Sequence, residues 1–271
     1  MPRDLRIWLG GGFILLLLMV ALLAPLLAPF DPLEQDLLAA TAAPGQEPGR
    51  LLGTDSLGRD VLSRLIYGTR IALTVAFVAA SLACLLGTLL GLLAGYFGGW
   101  IDAVISRLID IWMAFPPVLL SILLVAVLGS GIHSVIAAIV VIDWTRFARV
   151  VRAETRQQAR LEYAEAASAL GMGRLAILAR EILPNVLPVV LVLLSLEMGI
   201  AVIVEAILSF VGLSVSTDTP TWGGMIAEGR QIIYQAWWVL VCPLVLLFLT
   251  VLAFNQLGDG LRQWLDPVLK R

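Results

Sequence analysis

The stretch 154–184, ETRQQARLEYAEAASALGMGRLAILAREILP, is the longest part of the chain that cannot lie inside a membrane, and apolar segments flank it. A helix is predicted at about 161–170, because its alanines favour helix and leave a thin surface that another backbone can approach. Glu162 and Glu165 add negative charge that a basic group or a helix N-terminus can bind. Gly171 supplies the turn that ends the helix. These residues predict a docking element.

Three acidic residues, Asp110, Glu197 and Glu205, fall inside apolar runs, where an ionisable residue is a functional hypothesis by default. They would suit a proton-coupled carrier. Glu197 and Glu205 are eight positions apart, about 80° around a helix, so both can face a protein interior. The sequence has no H-E-x-x-H, G-x-S-x-G or Walker A string. We therefore expect no catalytic residues and no ATP hydrolysis by this chain.

The composition excludes a soluble globular domain. Of the 271 residues 60% are hydrophobic and 14% are charged, and the mean hydropathy is +0.96. The two cysteines, Cys84 and Cys242, lie in apolar runs without metal-ligand spacing, so neither a metal site nor a disulfide framework is expected. The arginines lack an aromatic platform, which argues against nucleic-acid binding.

Six apolar runs predict an all-α integral membrane protein with six transmembrane helices, at about 7–28, 69–97, 103–128, 132–142, 186–211 and 236–257. We expect the first run to be a membrane helix that is not cleaved off as a signal peptide. Pro116 and Pro117 predict a kink in the third. The predicted organisation is a cytoplasmic N-terminus with the first helix at 1–28, an extracytoplasmic segment with a short amphipathic helix at 29–68, a transmembrane domain at 69–258 and a cytoplasmic tail at 259–271.

The distribution of basic residues orients these spans. Thirteen of the 18 Lys and Arg residues fall on the side that carries the 154–184 stretch. The excess predicts that this side, with both termini, is cytoplasmic. Ala166 is then cytoplasmic and Thr217 extracytoplasmic.

Gly87, Gly91 and Gly95 recur at four-residue spacing in the second apolar run. Glycines at this spacing share one helix face and let a neighbouring backbone approach closely. They predict a helix–helix contact.

Several strings resemble those of ABC importer membrane subunits. Glu165-Ala166-Ala167, then Gly171 and Leu183-Pro184, is similar to the EAA signature of that family. Glu181 stands where the family usually has isoleucine, two residues before the Leu-Pro pair. The strings LGTDSLGRDVLSRLIYGTR, SFVGLSVSTDTPTWGGMIAEGR and LTVLAFNQLGDGLRQWLDP resemble signatures of the C-type permease subunit of the dipeptide, oligopeptide and nickel branch. The resemblance covers about residues 52–267.

This resemblance implies a type I ABC importer permease fold with a cytoplasmic coupling helix at about 155–182. That segment would dock on an ATPase subunit through Glu162, Glu165, Ala166, Ala167 and Gly171. The implied partners are a homologous second permease, two ATP-binding subunits and an extracytoplasmic substrate-binding protein. The chain would be a non-catalytic subunit in the cell inner membrane, with ATP and Mg²⁺ held by its partners.

The solute stays open between di- or oligopeptides, glutathione, nickel and a metal chelate. Transport of a free metal would favour histidine or methionine along the pathway. The chain has one histidine, His133, and six methionines, which favours peptide-like solutes. A proton-coupled carrier is a remote alternative, because it gives no reason for the EAA stretch.

Overall fold

The computed structural model describes residues 3–215 and 219–265, and the predicted extracytoplasmic position Thr217 lies outside them. Within these residues the chain is helical, without a β-strand. The helices are, in chain order, α1 Arg3–Leu22, α2 Ala24–Leu27, α3 Val61–Phe97, α4 Gly99–Met113, α5 Pro117–Leu128, α6 Ile132–Gln158, α7 Glu162–Ala169, α8 Arg174–Ile177, α9 Leu183–Phe210, α10 Trp222–Gln231 and α11 Trp237–Leu265.

Among the described residues, four helical stretches are long and apolar enough to cross a membrane by themselves. They are Leu5–Leu22, Val61–Phe97, Arg174–Phe210 and Trp237–Leu265. A fifth is possible if α4 and α5 together form one broken span. The fourth run expected from the sequence, 132–142, is the first part of α6, whose 27 residues include charged positions from Asp143 onward. The described residues therefore contain four or five apolar spans where six were expected, because α6 is long enough to span a membrane but too polar.

The break between α4 and α5 is sharper than a kink. The two helices meet at 88°, with Pro116 extended at ψ 121° and Pro117 as the first residue of α5. A proline disfavours helical geometry at the residue before it and cannot donate a backbone hydrogen bond. Two adjacent prolines thus end α4 and start α5 in a new direction.

The helix α3 begins earlier than expected. Asp60 is its N-cap, with a carboxylate oxygen accepting a hydrogen bond from the Ser63 amide at 2.7 Å. From Val61 the helix runs 37 residues without interruption, about 55 Å. The separate amphipathic helix expected before residue 69 is therefore not formed. The cap at Asp60 starts one continuous helix, and the boundary expected at 68/69 lies inside it.

The segment between α2 and α3 is irregular, as its prolines predict, apart from a 3-10 turn at Leu37–Ala39. It folds back on the start of α3. The Phe30 amide donates to the Ser63 hydroxyl at 3.1 Å, and the Arg50 guanidinium lies 5.0 Å from the Phe30 ring centroid.

The α3 helix lies at the centre of the bundle. It packs most extensively on α6 and also contacts α1, α4 and α9, while α11 packs on α1, α9 and α10. A π-helical turn at Leu178–Ile182 joins α8 to α9, so the helical path from Arg174 to Phe210 is continuous. The loop that carries α7 is thereby connected directly to two long helices, α6 before it and α9 after it.

Candidate functional site

The helix α7 presents two different faces. Ala164 and Ala167 are buried against Ile177, Leu178 and Ile182. The side chains of Glu162, Glu165 and Ala166 are exposed on the other face. The small alanine side chains let the buried face lie close to the segment that follows. The opposite face, with two carboxylates, is accessible to other molecules.

The turn after α7 depends on Gly171. Its φ is +84°, in the left-handed region that glycine adopts readily. The Met172 amide donates to the Ala167 carbonyl at 3.1 Å, and the Gly171 amide donates to the Ser168 carbonyl at 3.0 Å, the pattern of a glycine C-cap. Gly173, two residues further on, has φ −67° and is the N-cap residue of α8. Only Gly171 of the two needs its special backbone geometry.

Two side-chain hydrogen bonds in series connect α7 with α6. The Tyr163 hydroxyl donates to Gln158 Oε1 at 2.8 Å, and Gln158 Nε2 donates to Glu154 Oε1 at 2.8 Å. Burial raises the pKa of the Tyr163 hydroxyl, which keeps it protonated and able to donate. The orientation of α7 is therefore fixed relative to the end of α6.

The glycines Gly87, Gly91 and Gly95 lie at the contact of α3 with α6. A Cβ on Gly91 would be 2.8 Å from both the Ala148 carbonyl oxygen and Val151 Cβ, and one on Gly95 would be 2.6 Å from the Arg152 carbonyl oxygen. A Cβ on Gly87 would collide with the Trp144 carbonyl oxygen. The two backbones thus pack closely over three turns, and α6 leads from this contact directly to α7.

A second cluster, at the opposite end of α3, joins two of the sequence strings. Arg59 Nε bonds Asp55 Oδ2 at 2.7 Å, and Arg59 Nη2 bonds Glu228 Oε2 at 3.0 Å. Arg64 binds both oxygens of Glu228 and also pairs with Asp55. We call Asp55, Arg59, Arg64 and Glu228 the four-charge cluster. Two cations and two anions balance within it.

Trp222 fixes α10 at the same place. Its indole Nε1 donates to the Leu65 carbonyl at 3.2 Å, and a Cβ on Gly68 would lie 2.8 Å from Trp222 Cδ1. Asp55, Glu228 and Trp222 were not predicted to be site residues. The sequence feature that could have identified them is their presence in the LGTDSLGRD and PTWGGMIAEGR strings, which lie together in the fold.

The acidic residues in apolar runs have different environments. Glu197 is buried and pairs with Arg146 Nη1 at 3.2 Å, and Arg146 Nε lies 3.8 Å from Asp143. Glu205, also buried, accepts hydrogen bonds from Ser209 at 2.6 Å and from Ser214 at 3.1 Å. The Asp110 side chain is 62% exposed, 4.0 Å from Arg149. The structure does not bring the three acids together, and over the described residues no group of His, Cys, Asp and Glu is arranged to hold a metal ion.

The described helices form a bundle with four or five stretches apolar enough to cross a membrane, and the short helix α7 connects two of its long helices. Consistent with this, residues 87–271 match the family described as binding-protein-dependent transport system inner membrane component. Residues 7–44 match the N-terminal transmembrane domain of oligopeptide transport permease C. The chain belongs to the binding-protein-dependent ABC importer permease family, whose members are non-catalytic transport subunits.

Curated relatives align over nearly the whole chain. The dipeptide transport system permease protein DppC of Haemophilus influenzae is 40% identical over 97% of this chain and 90% of its own length. The DppC protein of Escherichia coli is 42% identical over 97% and 89%. The glutathione transport system permease protein GsiD of Pectobacterium atrosepticum is 42% identical over 96% and 86%.

Solved structures share the fold. A chain of the MetNI methionine ABC transporter superimposes with a TM-score of 0.63 at 21% identity, over 75% of this chain and 96% of that one. A chain of an amino acid ABC transporter gives 0.59 at 20% identity, over 75% and 95%. The type I importer permease fold predicted from the sequence is confirmed.

Proposed function

We propose that this chain forms half of the pathway through which an ABC importer carries di- or oligopeptides, or a related small solute such as glutathione. The observation that carries the proposal is the relationship to dipeptide and glutathione permeases over more than nine-tenths of the chain. A homologous second permease forms the other half, and a binding protein delivers the solute outside the cell. The inner membrane holds the chain with both termini in the cytoplasm.

In this proposal α7 is the coupling helix and docks on one of two ATP-binding subunits. Its exposed Glu162, Glu165 and Ala166 form the contact, while the buried Ala167 and the left-handed Gly171 set its orientation. ATP and Mg²⁺ bind to the partner subunits. A movement of the ATPase then reaches the bundle through α6 and α9, the two long helices that flank α7.

Peptide-like solutes are favoured over nickel or a metal chelate. The relatives named above carry dipeptide and glutathione in their names, and no metal-type cluster occurs in the part of the chain that the structure describes. A proton-coupled carrier would need acids free to exchange protons along a path, whereas Glu197 is paired with Arg146. Transport of a metal and proton-coupled transport are therefore less well supported than peptide import.

The test is Glu165→Arg in the complete transporter, reconstituted with its permease, ATPase and binding-protein partners. Reversing an exposed charge at the docking face should abolish solute uptake and release the ATPases, because truncating a charge pair at such an interface costs about 2–5 kcal/mol. Glu34→Arg, at an exposed acid in the segment between α2 and α3, is the matched control and should transport normally. Normal uptake by Glu165→Arg would remove the docking assignment.

A further inference from the structure

A basic groove lies at the end of α6, just before α7. It overlaps the segment 155–182 that was expected to dock on an ATPase, but none of its lining residues is among the docking residues named above. Its volume is about 550 Å³, and it is lined by Arg152, Ala153, Arg156, Gln157, Arg160 and Leu161. The three arginines are spaced four residues apart, so they share one face of the chain as it leaves α6. Like charges at this spacing repel one another, which favours a counter-ion in the groove.

The positive charge of the groove is only partly neutralised by the protein. Arg152 is bound through Nε and Nη2 by the Asp102 carboxylate, and Asp102 also attracts Arg156 at longer range. Arg156 and Arg160 are exposed, and no carboxylate of the described residues lies within 4.0 Å of either. Glu154, the other nearby acid, is engaged by Gln158. Two guanidinium groups are left to bind an anion.

Aromatic residues near the groove indicate where a membrane boundary would lie. Arg152 is level with Gly95, two residues before α3 ends at Phe97. Beside this end stand Tyr96 and Trp100, the latter 75% exposed, and such aromatic residues gather where lipid meets water. Arg156 lies about 6 Å further along α6 and Arg160 about 12 Å, given the helical rise per residue. The headgroup layer is about 5–7 Å thick on each side of the hydrocarbon core, so Arg156 falls within it. Arg160 lies on its aqueous side, and its long side chain can extend back towards the phosphates.

We propose that this groove binds the phosphate headgroup of an anionic phospholipid in the leaflet that borders α7. Arg156 and Arg160 hold the phosphate oxygens, which match the planar donors of guanidinium. Arg152 is held in place by Asp102 and completes the groove. Leu161, the N-cap residue of α7, also lines it, so the bound lipid touches the start of α7. The lipid therefore stabilises the junction of α6 with α7.

The test measures lipid binding to the purified transporter complex by native mass spectrometry. Phosphatidylglycerol is titrated against phosphatidylcholine for wild type and for the double variant Arg156→Gln/Arg160→Gln. The affinity for phosphatidylglycerol should fall about tenfold to thirtyfold in the variant, given the usual contribution of each basic residue near an anionic surface. Binding of phosphatidylcholine should not change. The double variant Arg156→Lys/Arg160→Lys keeps the charge but loses the planar donors, so it should bind phosphatidylglycerol more tightly than the Gln variant and less tightly than wild type.

The matched control is Arg174→Gln/Arg180→Gln, which removes the same charge from two exposed arginines after α7. An equal loss of affinity in this control overturns the site, because the effect would then be one of net charge. Displacement of the lipid by inorganic phosphate at millimolar concentration overturns it as well, since the site would then bind free anions. Loss of the ATPases from the Gln variant with unchanged lipid binding assigns the groove to a protein partner and also refutes the proposal, whereas Glu165→Arg tests docking by α7 independently.

Discussion

Arg64 and Glu228 form a two-point ion pair although 164 residues separate them. Arg64 Nη1 lies 2.6 Å from Glu228 Oε2, and Nη2 lies 3.1 Å from Oε1. Arg64 is at the start of α3 and Glu228 is in α10, so the pair joins the first third of the chain to its last quarter. Asp55 is fully buried beneath them, and the side chain of Glu228 is 34% exposed.

Replacing Glu228 by Gln should destabilise the bundle. The substitution leaves two arginines to share Asp55 alone, and removing one partner of a largely buried charged hydrogen bond costs about 1–3 kcal/mol. Thermal unfolding of the protein in detergent should show a lower Tm. Glu162→Gln, at an exposed acid with no part in the cluster, should leave the Tm unchanged. Equal Tm values for the two variants would mean that the four-charge cluster adds no stability.

Gly91→Leu should prevent close packing of α3 on α6. The new side chain must start at a Cβ 2.8 Å from the Ala148 carbonyl and from Val151, and overpacking of this kind costs about 1–3 kcal/mol or more. The yield of intact transporter complex in detergent should fall. Gly12→Leu is the control, because a Cβ at Gly12 in α1 meets nothing within 4 Å. A normal yield for Gly91→Leu would show that the two helices can separate without penalty.

Gly171→Val should uncouple ATP hydrolysis from transport while leaving the membrane bundle folded. Valine is strained at φ +84°, at a cost of about 1–2 kcal/mol, so the turn after α7 must change. Gly173→Val is two residues away at φ −67°, also with open space around it, and should couple normally. ATPase activity and uptake of the reconstituted transporter, each with and without loaded binding protein, make the comparison. Equal behaviour of both variants would show that the left-handed turn is dispensable.

Cysteine labelling tests the orientation of the chain. In a background with Cys84 and Cys242 replaced by Ala, a cysteine at Ala166 should be protected in intact cells from an impermeant thiol reagent. A cysteine at the fully exposed Leu38 should react. The expectation follows from the excess of basic residues on the α7 side. Labelling of position 166 with protection of position 38 would invert the orientation.

Local patterns were enough to predict α7 and its turn. The alanines and Gly171 act within a few residues, so their structural consequence can be read from neighbouring positions. The glycines of α3 predicted a close contact for the same reason, although only the structure identifies α6 as the partner. In contrast, the pairing of Arg64 with Glu228 depends on how distant helices pack, and no spacing in the sequence encodes it.

Pro116, Pro117 and the N-cap Asp60 show a second limit of prediction from the sequence. Pro116 and Pro117 predicted a bend, but its 88° depends on where α5 finds apolar neighbours on α6. Asp60 is a standard N-cap residue, yet the amphipathic spacing of Leu57, Val61 and Leu65 suggested a separate surface helix instead. The start of α3 was therefore placed too late, because the choice between one long helix and two short ones is made by tertiary packing.

Because α3 is long and uninterrupted, a small tilt of the helix moves its far end by several ångströms. Its 37 residues form a helix about 55 Å long. The four-charge cluster holds one end, and α6 packs along the other half. A tilt of roughly 5° about one end would displace the opposite end by about 5 Å, from the same helical rise. A small rotation imposed on the end of α3 that packs on α6 would therefore be amplified into a displacement at the end that contacts α10, without any change inside the helix.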